Sequence, residues 1–152
     1  MQNIPSIVKL EAVKLSDILL FISNIDENSV LIKFAENSPP FILPLGETSI
    51  QNSFATEKQD GITSYTHKVS CTIPMPLFDF DTKNYISQFK IEGGILLLTD
   101  TDGNRYVAGS KDSPLQLLSE HHFGDSASAA RCYALNFTGI QEHSALFLET
   151  IL

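Results

Sequence analysis

Between Ile62 and Ile73 the chain alternates cleanly. Tyr65, His67, Val69, Cys71 and Ile73 take one side, and Ser64, Thr66, Lys68, Ser70 and Thr72 take the other. A period of two with β-branched enrichment predicts a half-buried strand. Lys58-Gln59-Asp60-Gly61 reads as the turn before it, and Pro74-Met75-Pro76 closes it. Upstream, Ile18 to Ser23 and Ser29 to Ala35 are apolar runs parted by NIDEN, which predicts a hairpin. Ser6 to Leu15, with Val8, Leu10 and Ala12 in step, reads as a strand, with a short amphipathic helix as the alternative.

From Glu36 to Gln59 the pattern breaks down into loop chemistry with short strand-like pieces, a long connection for a small domain. Asp81 to Lys90 changes period: after an Asp/Thr start, Tyr85, Ile86 and Phe89 predict one short helix, at 82–90, with an aromatic face. Ile95 to Thr99 follows as a buried strand, then strand-like stretches at Arg105 to Gly109, Leu115 to Ser119 and Arg131 to Thr138. In the last of these Tyr133, Leu135 and Phe137 share a face, and SALFLETIL ends the chain as a strand or a short helix. Roughly seven to nine short strands, turn signals between them and one helix predict a mainly β single domain over 1–152. The expected architecture is an antiparallel β-sandwich or barrel.

Composition agrees with a packed domain: 152 residues, 43% hydrophobic and 18% charged, with ten Phe and no Trp. The net charge of −8, spread along the chain, favours solubility and argues against nucleic acid as a partner. No apolar run approaches the roughly 18–20 residues of a membrane helix, so no membrane partner is expected. The first residues lack the layout of a secretory signal, which predicts a cytoplasmic location. Cys71 and Cys132 form no CxxC pair and sit in predicted strands, where reduced thiols pack as small hydrophobes.

GILLLTDTDGNRYVAGS, Gly94 to Ser110, is the stretch that most resembles a chemical site. Counted from Asp100 as a calcium loop, Asp102 and Asn104 fall at oxygen-ligand positions. Arg105 and Lys111, however, occupy the places that require glycine and a bidentate glutamate. It lacks GxxxxGK[ST] as well. Asp102-Gly103 is therefore expected to form a two-residue type I′ hairpin turn, with both residues at positive φ. Among the four histidines, Glu120, His121, His122 and Asp125 are the grouping nearest to a metal site, but a solvated loop is the favoured reading. GxSxG is missing, so no catalytic residue, metal or cofactor is assigned.

Over Ser64 to Gly139 an ordered set of features is similar to a known group. YTHKVSCTIP is followed by a short helix, then GGILLLTDTDGNRYVAG, SPLQL and CYALNFTG. This order resembles small β proteins from prophage-like regions of Bacteroidales genomes, described as phage structural or tail-associated proteins. The resemblance implies a non-enzymatic assembly subunit that meets other protein subunits, copies of itself or particle components, in a phage-like particle. Its contacts are then expected in the Glu36 to Asp60 and Glu120 to Ala129 loops, through Phe41, Phe54 and Phe123. For each of these rings the competing reading is that it tucks into the core beneath its loop. A ligand-binding β-sandwich, for instance one that takes glycan on Tyr65, Tyr85 and Tyr106, is the alternative, and a small hydrolase ranks third.

Overall fold

The computed structural model describes residues 4–45, 50–122 and 132–151. The first sheet takes β1 (Ile7–Lys14), β2 (Ile18–Asn24), β3 (Ser29–Phe34), β4 (Phe41–Ile42), β7 (Gly94–Asp100), β8 (Arg105–Ala108) and β11 (Leu146–Ile151). The second takes β5 (Gln51–Gln59), β6 (Ile62–Pro74), β9 (Gln116–His122) and β10 (Cys132–Gln141). One α-helix among the described residues, α1 (Phe80–Glu92), links β6 to β7. The protein is a mainly β, two-sheet sandwich with a single short helix, as the strand pattern predicts.

The small sheet runs β5-β6-β10-β9 with every neighbour antiparallel. Its inner face carries Phe54, His67, Val69, Cys71, Ile73, Leu117, Leu135 and Phe137, all buried. The large sheet runs β2-β3-β11-β8-β7-β1-β4. Its one departure from the expected antiparallel pattern is β3 beside β11, a parallel pair that aligns Phe147 with Ser29.

Strand order and chain connectivity together require this sheet to roll up. β1 and β2 stand sixth and first in the order, yet only Leu15–Asp17, a 3-10 turn, joins them. Four steps of chain reach about 14 Å at most. Five strand spacings across a flat sheet would need about 24 Å. The sheet therefore curls until β2 approaches β1. Ile18, Val30 and Ile32 meet Val13, Ile95, Leu97, Val107 and Leu146 in one buried cluster inside the roll. Leu10, Ala12, Leu96, Leu98, Tyr106 and Ala108 face the other way and pack against the small sheet and the helix. With cover on both faces, β7 reads as an unbroken apolar run, and Ile95 to Leu98 are all fully buried.

Helix α1 extends past the predicted 82–90 at both ends. Asp79 caps it by accepting the Thr82 backbone N–H at 2.8 Å, and the bond holds the Asp79 carboxyl below the usual carboxylate range. Ile86 and Phe89 enter the core, where Phe89 meets Phe137 edge to face at 5.3 Å. Asp79→Ala should lower the thermal midpoint, and Asp79→Asn, which keeps an accepting oxygen, should retain most of it. Because the native carboxyl is depressed, the advantage over alanine is present above the ordinary carboxylate pKa and lost as pH falls through the lowered one. Melts from pH 7 to pH 2.5 check this, and an alanine variant that melts with the wild type throughout refutes it.

Two sequence expectations about turns and loops need correction. Asp60 and Gly61, at φ +53° and +79°, form the two-residue turn with both centres left-handed, between β5 and β6. At Asp102-Gly103 only Gly103 is left-handed, at φ +84°. Gly103 donates its N–H to the Asp100 carbonyl, and Asp100 donates its own to the Asn104 carbonyl, which encloses a three-residue loop. The Asp100 carboxylate stabilises it by accepting the N–H groups of Asp102 and Asn104, each at 2.9 Å. The second correction concerns Glu36 to Gln59. Its latter part is not irregular: Gln51–Gln59 is a full strand paired to β6 along its length.

Candidate functional site

The opening between the rolled sheet and one end of the small sheet forms a cleft of about 470 Å³. Three groups of residues build it. Phe21, Ser23 and Ile25 come from β2 and the turn beyond it, Ile62 to Ser64 begin β6, and Ile140 to His143 end β10 and continue past it. The loop after β8 closes one side with Ser110, Asp112 and Ser113.

Beneath the cleft lies a closed polar network. Ser110 Oγ donates to Gln141 Oε1 at 3.0 Å, and Gln141 Nε2 donates to the Ser113 carbonyl at 2.6 Å. The Ser113 N–H returns to Ser110 Oγ, and Ser113 Oγ donates to the Ile140 carbonyl at 2.8 Å. Gln141 is buried, and the network satisfies both ends of its amide. Deeper still, His67 Nε2 donates to the His143 carbonyl at 2.8 Å and Nδ1 accepts the Gly109 N–H at 3.1 Å. Those two bonds fix the neutral tautomer, and burial pulls the His67 pKa down to about 4. Phe54 packs edge-on against its ring at 4.8 Å.

The His143 ring donates Nδ1–H to the Ser144 carbonyl at 2.8 Å, so in the neutral ring Nε2 is an acceptor. Asp112 and Glu142 are exposed at the rim. The nearest cation along the chain, Lys111, reaches away to donate to the Leu19 carbonyl at 3.1 Å. This bond ties the loop to β2. Among the described residues no three His, Cys, Asp or Glu side chains lie close enough to hold one metal ion.

Comparison with protein families, curated proteins and solved structures returns no match.

A second, more open depression of about 530 Å³ lies across the molecule's Pro39-Pro40 segment, with Lys14, Asp17, Phe41 and Tyr85 on its walls. Phe41 stacks on Tyr85 at 4.6 Å and 10°. The Tyr85 hydroxyl accepts the Lys14 N–H at 3.0 Å and lies within donating distance of the Ala12 carbonyl and Asp17 Oδ2. Burial raises its pKa well above that of an ordinary tyrosine. Its ring and hydroxyl are committed to holding this wall.

The three aromatic contact candidates have different outcomes. Phe54 is fully buried against His67 and Val69's layer, so it offers no outside surface, and the core reading holds for it. Phe41 is half-buried and walls the open depression. Phe123 lies outside the described residues, as do the loop around it and the side chains of the Glu120, His121, His122 and Asp125 grouping. Tyr106 is buried, with its hydroxyl 3.3 Å from Asp100 Oδ2, so it provides no sugar platform. Cys71 packs as a small hydrophobe, its thiol pushed up to about 12 by burial. No helix among the described residues is long and apolar enough to cross a membrane.

Sequence reading missed the cleft. One signal was available: Gln141 lies in step with Leu135 and Phe137 on the buried face of β10, and a polar residue in that register requires partners.

Proposed function

We propose that the protein is a non-enzymatic assembly subunit that works by docking other protein subunits, copies of itself first among them. The observation that carries this reading is the edge strand β2, ILLFISN, which contains no charge and no proline. Among the described residues no strand pairs with its outer edge, and Leu20 and Ile22 are exposed. Cross-strand pairs lie on one face, so Ile22 with Leu31, and Ser29 with Phe147, place four apolar side chains together on the outside of the roll: Leu20, Ile22, Leu31 and Phe147. Natural edge strands are commonly blunted by charges or bulges. Here a bulge near Leu19 and the Lys111 contact blunt only the start of the strand.

A contact surface of this kind fits the role that the resemblance to phage structural proteins suggests, as part of a tail or baseplate-like particle. Light scattering after size-exclusion chromatography at rising concentration, with negative-stain images of the top fraction, tests it. The wild type is expected to form dimers or larger rings. Leu20→Lys/Ile22→Lys should remain monomeric with an unchanged circular dichroism spectrum and thermal midpoint. A wild type that stays monomeric at every concentration, or a double variant that assembles like it, overturns the reading.

A further inference from the structure

We propose that the cleft between β2 and the end of the small sheet binds an aliphatic amine with two or more ammonium groups, a diamine or polyamine. This site is separate from the outward face of β2. Leu20 and Ile22 point away from the roll, whereas Phe21, Ser23 and Ile25 line the cleft.

Three properties select that chemistry. The first is charge: the cleft has carboxylates at Asp112 and Glu142 and no lysine or arginine in its lining. Neither carboxylate has a hydrogen-bond or ion-pair partner among the described residues, and Lys111 is turned away to the Leu19 carbonyl. The second is hydrogen bonding. Ser110, Ser113 and Gln141 are used up by one another, which leaves the two carboxylates, the His143 ring and the hydroxyls of Ser23, Thr63 and Ser64 to meet a ligand, and each of these can accept. A ligand that only donates suits such a lining, and ammonium has three donors and no acceptor. The third is the rest of the lining. Asp112, Glu142 and His143 do not gather tightly enough to hold one metal ion, and the cleft also carries the apolar side chains of Phe21, Ile25, Ile62 and Ile140. Methylene segments match those side chains while the ammonium groups at either end meet the acids. A volume of about 470 Å³ lies within the range of small-molecule pockets, roughly 300–1,000 Å³.

The fold makes the site rigid. Ser110 and Ser113 are tied to Gln141, Lys111 to β2, and His143 to His67, so each wall is anchored to another element before any ligand arrives.

Isothermal titration with spermidine and cadaverine at low salt tests the proposal, with 1,5-pentanediol as a neutral probe of the same length. Saturable one-to-one binding of the amines and none of the diol is expected, weakening as salt is added. Asp112→Asn/Glu142→Gln should lose about tenfold or more in affinity, since each substitution removes a charge-assisted contact. Asp81→Asn, on the exposed face of α1, should bind as the wild type does. No saturable binding of either amine overturns the proposal. Equal losses in the Asp81 and cleft variants overturn it too, because they would show diffuse attraction to an acidic protein. Binding to the folded wild type with no assembly would preserve this site while removing the subunit-docking reading, so the two fail separately.

Discussion

Gly94→Ala should be among the most damaging single substitutions in the protein. Gly94 starts β7 opposite Lys14, and its N–H and carbonyl pair with Leu115 at 3.2 and 2.7 Å. A Cβ built there would stand 2.1 Å from the Val13 carbonyl oxygen, 2.8 Å from the Phe89 ring and 2.9 Å from the Lys14 Cα. Two of the three obstacles are backbone, which no rotamer change can clear. Relief requires β1 to move off β7, and that pair joins the inside of the roll to the core between the sheets. A cost above about 4 kcal/mol is expected, at the far end of single-residue effects. For a chain of this length that is a fall of roughly 10 °C or more in the thermal midpoint.

Gly61→Ala provides the control. Nothing lies within 4 Å of a Cβ at Gly61, and only its left-handed φ of +79° resists substitution. That strain is worth about 1–2 kcal/mol. Chemical denaturation of both variants separates crowding from backbone preference. If Gly94→Ala loses no more than Gly61→Ala, the close approach of β1, α1 and β7 is wrong.

The second large effect is a pH dependence centred on His67. Its native pKa lies near 4, against 6.5 for the free side chain, because burial penalises the imidazolium. The ring meets a carbonyl, an amide N–H, Phe54 and the His143 ring, whose centroid is 6.0 Å away, and among the described residues no carboxylate is hydrogen-bonded or ion-paired to it. Between those two pKa values the unfolded chain binds a proton that the native chain refuses. Stability is therefore complete above about pH 6.5 and falls as pH drops towards 4, by about 3 kcal/mol in total. Protonation also converts Nδ1 from acceptor to donor, which opposes the Gly109 N–H. His67→Phe should remove this component of the pH profile. It should also lower stability at pH 7 by about 2–4 kcal/mol, since the Gly109 N–H and the His143 carbonyl are left buried without partners. Denaturant titrations of both proteins from pH 4 to pH 7.5 test this. Parallel profiles would show that His67 is not the group that titrates.

Strands with one buried and one wet face, or with two buried faces, were legible in the sequence. β6 shows its alternation, and β7 shows a continuous apolar run. β5 was not legible. As an edge strand it buries only Phe54 fully, and QNSFATEKQ is otherwise polar enough to read as a loop. The Asp-Gly pairs illustrate a different limit. Both mark turns, but whether a turn holds two or three residues depends on register: Asp100 pairs with Asn104 in one hairpin, and Gln59 with Ile62 in the other. The rolled sheet was hidden for a similar reason, because it follows from β3 finding β11. The cleft gathers residues from β2, β6, the loop after β8 and the end of β10, and no local pattern announces such a gathering. Resemblance directed attention to loop aromatics, whereas the exposed apolar face lies on a regular strand.

The parallel β3–β11 pair has a consequence in time. The hairpin of β2 and β3 is made from neighbouring residues and can form early, but the strand that joins it to the rest of the sheet is Leu146–Ile151. Closing a contact between such distant parts of the chain is slow compared with zipping a hairpin. Until that strand arrives, the hairpin lacks its strand pairing to the body, and Val30 and Ile32 lack the Leu146 side of their cluster. Any chain interrupted before residue 146 carries an unfinished roll with a sticky interior. The chain is thus most prone to wrong partners before Leu146–Ile151 has paired with β3, and that strand acts as the latch that ends this period.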